Sequence, residues 1–344
     1  MAIFVGLDVH RAQITFDALD TDTGEVRTGR IRPANRGTVR AFLAPLAAKQ
    51  TTVAVEAMTG WRLIAEECVR AGIDVRLAEP AETRLRQDRK RRAKTDKLDA
   101  RLLRELLMHQ RLPECWIGPA HILDLRAKVR LRKTLVDQRT EWLQRIHAVL
   151  FHHGVAVQPG RLARLDARDA HQQLADLDLP AIARQQITVA LGVIGHVNSV
   201  LHDLDLELER YARRQAGCKA LMGHYGIGPL VATAMLADLG DARRFSSSRQ
   251  AVRCAGLDIT VHESDTRRRG GHLSRQGSPV LRWAAFEAAQ CAARPSSPDH
   301  EYYVALKERL GANRAALTIA RKLLRRAHHT LRELGDDAIA APAS

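Results

Sequence analysis

Apolar and polar residues alternate in short runs over the first third of the chain and then settle into long helical periods. IFVGLDVH and ITFDALD read as two strands joined by a turn at Arg11 to Gln13, and EVRTGRIR reads as a third after a turn at Asp20 to Gly24. A helix over Gly37 to Ala48 leads to the strand TTVAVEA. A helix from Trp61 to Ala71, the short strand DVRLAEP and a helix opening near Asp96 complete this block. The dense basic run RLRQDRKRRAKTDK precedes that last helix.

From about 113 to 212 the period changes. Ile122, Val129, Val136, Leu143 and Leu150 fall at steps of seven, as do Ile187, Ile194, Leu201 and Leu208. This is a heptad pattern in two segments, broken by GVAVQPG and DLDLP. The two helices could form a hairpin or pair with a second copy of the chain; so narrow an apolar stripe offers little core of its own, which favours the second copy. Beyond residue 213, LMGHYGIGPLVATAMLADLGD reads either as an ordinary glycine-rich connection between helices or as a helix–GIG–helix element, whose Gly226 and Gly228 would let backbone N–H groups approach a phosphate. RFSSSRQA reads as an N-cap cluster opening a helix. An extended piece ending near Ser264, an Arg/Gly-rich loop and an apolar helix follow. The stretch from Asp299 to Leu334 is amphipathic and basic.

Three meandering strands followed by alternating helices and strands fit a ribonuclease-H-like layered α/β domain over 1–112. The remainder reads all-α: a long helical coiled-coil region over 113–212, a mostly helical domain with a helix-hairpin-helix-like element over 213–335, and a disordered tail over 336–344.

Composition narrows the partner. Among 344 residues, 54 Lys and Arg face 39 Asp and Glu, a formal net charge of +15. Such an excess favours nucleic acid or an anionic membrane. No apolar run is expected to span a bilayer, and MAIFVGLDVH lacks the basic start and cleavage site of a signal peptide. Nucleic acid is the better reading, and with it a cytoplasmic, nucleoid-associated protein without membrane contact. Cys68, Cys115, Cys218, Cys254 and Cys291 form no CxxC pair and have no histidine at zinc spacing, so they read as ordinary thiols.

Four acids stand out against this background. Asp8 sits in an apolar strand, Glu56 follows another, and Asp96 and Asp99 share one face of a helix's first turn. A carboxylate at the end of a buried strand is costly unless its charge is compensated. Carboxylates from two strands and a helix suit one or two hard divalent ions such as Mg²⁺, and in so basic a chain that suits phosphodiester chemistry. Arg89, Lys90, Arg91, Arg92 and Lys94 lie just before the helical pair, placed for phosphate contact. Ser264 lies close to Arg267, Arg268 and Arg269, cations suited to charge developing on a phosphate under attack. Ser274, next to Arg275, competes for that role, and a capping or loop role competes for both serines.

GLDVH, AVEAMTG and KTDKLDAR, in that order, resemble the DEDD transposases of bacterial insertion sequences, the bridge-RNA-guided recombinases of insertion-sequence family one-hundred-and-ten. GIGPLVATAMLADLGDARRF, AVRCAGLDI and HLSRQGSPVLRWA resemble that family's second domain. The resemblance spans about residues 3 to 300. It implies a RuvC-like first domain whose metal ligands are Asp8, Glu56, Asp96 and Asp99, and a nucleophilic serine in the second domain, matched by Ser264. It further implies that the metal site activates this serine to attack DNA, forming a 5′-phosphoserine and a 3′-OH before strand exchange and religation. A structured noncoding RNA would pair with donor and target DNA, and the protein would work as a dimer or tetramer. Two other readings stay open at this point: a junction nuclease using the acids and water, and a nucleic-acid-binding scaffold without catalysis.

Overall fold

A computed structural model describes residues 2–86, 95–155, 174, 177–264 and 267–342; over 261–264 and 267–270 the description is of the backbone. The chain divides into two compact units, Met1–Ile117 and Gly118–Ser344. The boundary lies between 117 and 118, close to the one expected at 112.

The first unit is built on a six-stranded sheet: β1 (Ile3–Val9), β2 (Ile14–Asp20), β3 (Val26–Ile31), β4 (Thr51–Glu56), β5 (Asp74–Ala78) and β6 (Glu114–Cys115), in the order β3-β2-β1-β4-β5-β6. β1 runs antiparallel to β2 and parallel to β4, and β4 runs parallel to β5. Helices α1 (Arg36–Leu43) and α2 (Trp61–Arg70) pack with one another and with the sheet. The short α3 (Pro80–Leu85) and α4 (Asp96–Met108) follow. Strand period 2 sorts the side chains. Ile3, Val5 and Leu7 of β1 and Val53 and Val55 of β4 join a core with Val39, Leu43, Ile64 and Cys68 of α1 and α2. Phe4 and Ala54, of the other parity, join Leu103, Leu106 and Leu107 of α4. Each large aliphatic side chain so buried contributes roughly 1.5–3 kcal/mol.

The second unit contains α5 (Ala120–His152), α6 (Ala181–Arg214), α7 (Ala216–Met222), α8 (Pro229–Leu239), α9 (Ser248–Cys254), the hairpin β7 (Ile259–Ser264) and β8 (Arg267–Leu273), then α10 (Pro279–Gln290), α11 (His300–Leu310) and α12 (Ala312–Leu334). α8 is apolar on nearly every side and sits at the centre, against α5, α6, α7 and α10.

The heptad segments form α5 and α6, and these pack on each other within the chain. Arg132 forks onto Asp205 at 2.5 and 3.1 Å, and Lys128 pairs with Glu207 at 2.6 Å. Ile122, Val129, Leu150, Ile187, Ile194, Leu201 and Leu208 are all buried in the single chain. The stripe expected to drive self-association is thus covered largely by its own chain. An 18-residue window of α6 has mean hydropathy 1.3, long and apolar enough to cross a membrane by length and composition, which the sequence reading did not expect. Its buried face is spent on packing within this unit.

Two further expectations change, and a third holds in position but not in its bonding. RRRGGHL is a strand instead of a loop: β8 pairs antiparallel with β7, with Gly271 so close to Thr260 that no side chain would fit. The expected disordered tail is ordered at its start, because Gly335–Ile339 forms a 3₁₀ turn whose Ala338 is buried and whose carbonyl accepts a hydrogen bond from Gln215 Nε2 at 2.8 Å. In RFSSSRQA, Ser247 holds the N-cap position without a side-chain cap bond, and the backbone N–H of Ser246 donates to Gln250 instead.

Candidate metal centre

Strand register and a helix start bring the four acids together. Leu7 of β1 lies opposite Val55 of β4, so Asp8 and Glu56 stand one step further along neighbouring parallel strands. Both have the parity of Phe4 and Ala54, the α4 side of the sheet. Asp96 and Asp99 lie in the first turn of α4, where Thr95 is the N-cap and its side chain accepts from Leu98 N–H at 3.4 Å. A helix N-terminus favours negative charge, which offsets part of the repulsion between the two acids.

These acids line one cleft of about 410 Å³ with Val9, His10, Arg11, Met58, Thr59, Arg84 and Thr95. His10 Nε2 lies 3.1 Å from Asp8 Oδ2 and 3.6 Å from Asp96 Oδ1. Donor atoms of Asp8, His10 and Asp96 all fall within 4.8 Å of one another. Gln13 Nε2 donates to Asp96 Oδ2 at 3.3 Å, and Gln13 Oε1 accepts from Arg32 Nε at 2.8 Å. Burial pushes the Asp8 carboxyl above its ordinary value; His10 opposes that rise, while Asp96 and Asp99 add to it. A carboxylate set that crowds its own negative charge fits a divalent cation, and these oxygens and one imidazole are donors such an ion accepts.

The turn that supplies His10 and Gln13 reads as a bare connection in the sequence. A histidine two residues after a strand aspartate was the available signal for His10. For Arg84 it was the Glu79-Pro80 start of α3, where the Glu79 side chain caps the Glu82 N–H.

Arg89, Lys90, Arg91, Arg92 and Lys94 lie outside the described residues. The remaining candidates belong to the second unit. Ser264 closes β7 opposite Arg267, with Arg268 and Arg269 next along β8. The Ser274 hydroxyl donates to the Asp258 carboxylate, and the Ser274 backbone N–H donates to the Asp258 carbonyl at 2.9 Å. Arg275 has a left-handed backbone, φ 52°, and its N–H donates to Gly256 O at 3.1 Å. Ser274 thus has a structural task in this turn. Gly226 (φ 86°) joins α7 to α8 and lies against Ala288 of α10, where a Cβ would stand 2.5 Å from the Ala288 carbonyl oxygen. Gly228 is the N-cap of α8, with open space where its Cβ would be.

Comparison with known proteins covers both units. Residues 5–153 match the DEDD transposase family model of IS110 type, described as "Transposase". Residues 218–304 match "Transposase IS116/IS110/IS902 family". A relative from Pseudomonas aeruginosa, "Probable family 20 transposase", is 27% identical over 326 residues, 92% of this chain and 93% of the relative. The "Transposase for insertion sequence element IS1111A" of Coxiella burnetii is 24% identical over 203 residues, 58% of this chain and 56% of its own length. The first match contains all four acids and the second contains Ser264 and Ser274, in the order of the two units, and the chain belongs to the IS110 family of DEDD transposases.

Proposed function

We propose that this transposase cuts and rejoins DNA at the ends of its insertion sequence, with Asp8, Glu56, Asp96 and Asp99 holding one or two Mg²⁺ ions and Ser264 as the nucleophile. The convergence of four acids from two strands and a helix on one cleft carries this reading. Mg²⁺ bound there supplies electrophilic stabilisation of charge on the phosphate oxygens.

The rest is the chain's own chemistry. The Ser264 hydroxyl gives up its proton as its oxygen bonds to phosphorus. The P–O3′ bond breaks, and the departing oxygen takes a proton to become a 3′-OH. The 5′-phosphoserine conserves the bond energy. A second strand's 3′-OH then attacks that phosphorus, the Ser264 oxygen leaves, and the serine regains its proton. Arg267, Arg268 and Arg269 would balance charge on the transferring phosphate, and Arg275 and the run Arg89–Lys94 would track the backbone.

The sheet order, with one antiparallel neighbour beside β1, supports a ribonuclease-H-like, RuvC-like reading of the first unit. The helix–turn–helix at Gly226–Gly228 supports a phosphate-contacting element at the open N-terminus of α8. The family resemblance supports a structured noncoding RNA that supplies sequence recognition by base pairing, with donor and target DNA as substrates. It also supports assembly of dimers or tetramers on DNA, and action in the bacterial cytoplasm. The heptad periods support coiled-coil packing of α5 on α6.

The test is DNA strand cleavage by Asp8→Asn, Glu56→Gln, Asp96→Asn and Asp99→Asn. Each is expected to lose about a hundredfold or more of Mg²⁺-dependent cleavage. Wild-type rates in all four would end the metal reading. A junction nuclease using water shares these losses but keeps cutting as Ser264→Ala, whereas the serine mechanism does not.

A further inference from the structure

The carboxylates are not alone in the cleft, because an imidazole nitrogen is held among them. His10 Nε2 stands within 3.1 Å of Asp8 and 3.6 Å of Asp96. The turn fixes this placement: the backbone N–H of His10 donates to the Gln13 carbonyl at 2.9 Å, and the Gln13 side chain holds Asp96 Oδ2. Gln13 thereby leaves Asp96 Oδ1 facing His10, and Arg32 secures Gln13 from behind. The His10 side chain is 55% exposed, so its nitrogen stays accessible from the cleft.

Mg²⁺ is a hard ion that favours an all-oxygen octahedral shell. Imidazole nitrogen is a softer donor, and first-row transition ions accept it more readily. We infer that His10 is a metal ligand alongside Asp8 and Asp96, and that it biases this centre toward first-row divalent ions, Mn²⁺ among them, relative to Mg²⁺. The inference rests on the reading of the cleft as a metal site and adds a nitrogen donor to the carboxylate set.

The probe is Mn²⁺ itself, added to the full-length protein without nucleic acid. Pulsed electron paramagnetic resonance of the bound ion reads directly whether a nitrogen is coordinated. Wild type is expected to show ¹⁴N modulation from one imidazole, and His10→Gln and His10→Ala to lose it. Titration should show the same variants losing about tenfold or more in Mn²⁺ affinity while Mg²⁺ affinity, measured by competition, changes several-fold less. Circular dichroism melts of both variants check that they fold.

Mn²⁺ bound by wild type and lost in Asp8→Asn, but without ¹⁴N modulation, would overturn the His10 assignment and leave the carboxylate site standing. Equal losses of Mn²⁺ and Mg²⁺ affinity on removing the imidazole would overturn the selectivity claim. If wild type binds neither ion, the metal reading of the cleft falls, and His10 as a ligand falls with it.

Discussion

Gly6 of β1 lies directly beneath Ala100 of α4, so close that a Cβ on Gly6 would overlap the Ala100 carbonyl oxygen and stand 2.7 Å from the Arg104 backbone nitrogen. Both neighbours are helix backbone, which cannot swing aside. The missing side chain is what lets α4 settle on the strand two residues before Asp8, bringing Asp96 into reach of His10 and Asp8. Gly6→Ala is therefore expected to destabilise the first unit by about 2–4 kcal/mol and to weaken Mn²⁺ binding in the fraction that folds. Urea unfolding and metal titration of the same preparation check both. Wild-type stability with wild-type metal affinity would show that the close approach does not set the site.

Asp17 and Arg104 form a buried ion pair between β2 and α4, with side chains 4% and 7% exposed. The pair anchors the middle of the helix whose first turn carries Asp96 and Asp99. Removing Arg104 leaves the Asp17 carboxyl buried without this partner. Arg104→Met should cost about 3–5 kcal/mol, and the double variant Asp17→Leu/Arg104→Met should recover much of that loss. Chemical denaturation of the single and double variants measures the coupling.

Glu67 of α2 is buried beneath three arginines. Hydrogen bonds from Arg40 and then Arg36 hold its carboxyl below the ordinary carboxylate range, with Arg70 adding to the effect. A depressed carboxyl contributes stability above its unfolded-state value, about 4.3, and loses that contribution as pH falls through the lower folded-state value. Glu67→Gln should melt below wild type at pH 7, and the gap should close as the pH drops below about 4. Thermal melts from pH 7 to pH 3 trace this, and a gap independent of pH would contradict it.

Ser274 ties the turn after β8 to Asp258, so its loss should be structural. Ser274→Ala is expected to lose roughly 1–2 kcal/mol of stability and to retain covalent capture of DNA. Loss of capture in a folded Ser274→Ala protein would move the nucleophile from Ser264 to Ser274.

Much of the first unit was legible because its strands announce themselves by alternation and its acids stand on otherwise apolar strands. The consequences of Gly6 were not legible. FVGLDV reads simply as a strand, and only the packed helix shows why no side chain belongs there. α3 and β6 were missed as short elements, one of six residues and one of two. β8 was missed because three arginines and two glycines carry no alternation, so its pairing depends on β7. The heptads gave both long helices, but periodicity cannot say which chain covers a stripe. Asp8, Glu56, Asp96 and Asp99 were readable singly; their meeting with His10 and Gln13 depends on register and on a four-residue turn, which composition does not encode.

The proposed function makes Ser264 the nucleophile and Asp8, Glu56, Asp96 and Asp99 the metal ligands. The most direct measurement is to incubate the full-length protein with Mg²⁺, the element's DNA ends and its noncoding RNA, trap the covalent protein–DNA species, and map the linked residue by mass spectrometry. The account predicts a phosphodiester link at Ser264, absent in Ser264→Ala and in Asp8→Asn. Cleavage without any adduct, or an adduct at another residue, would contradict it.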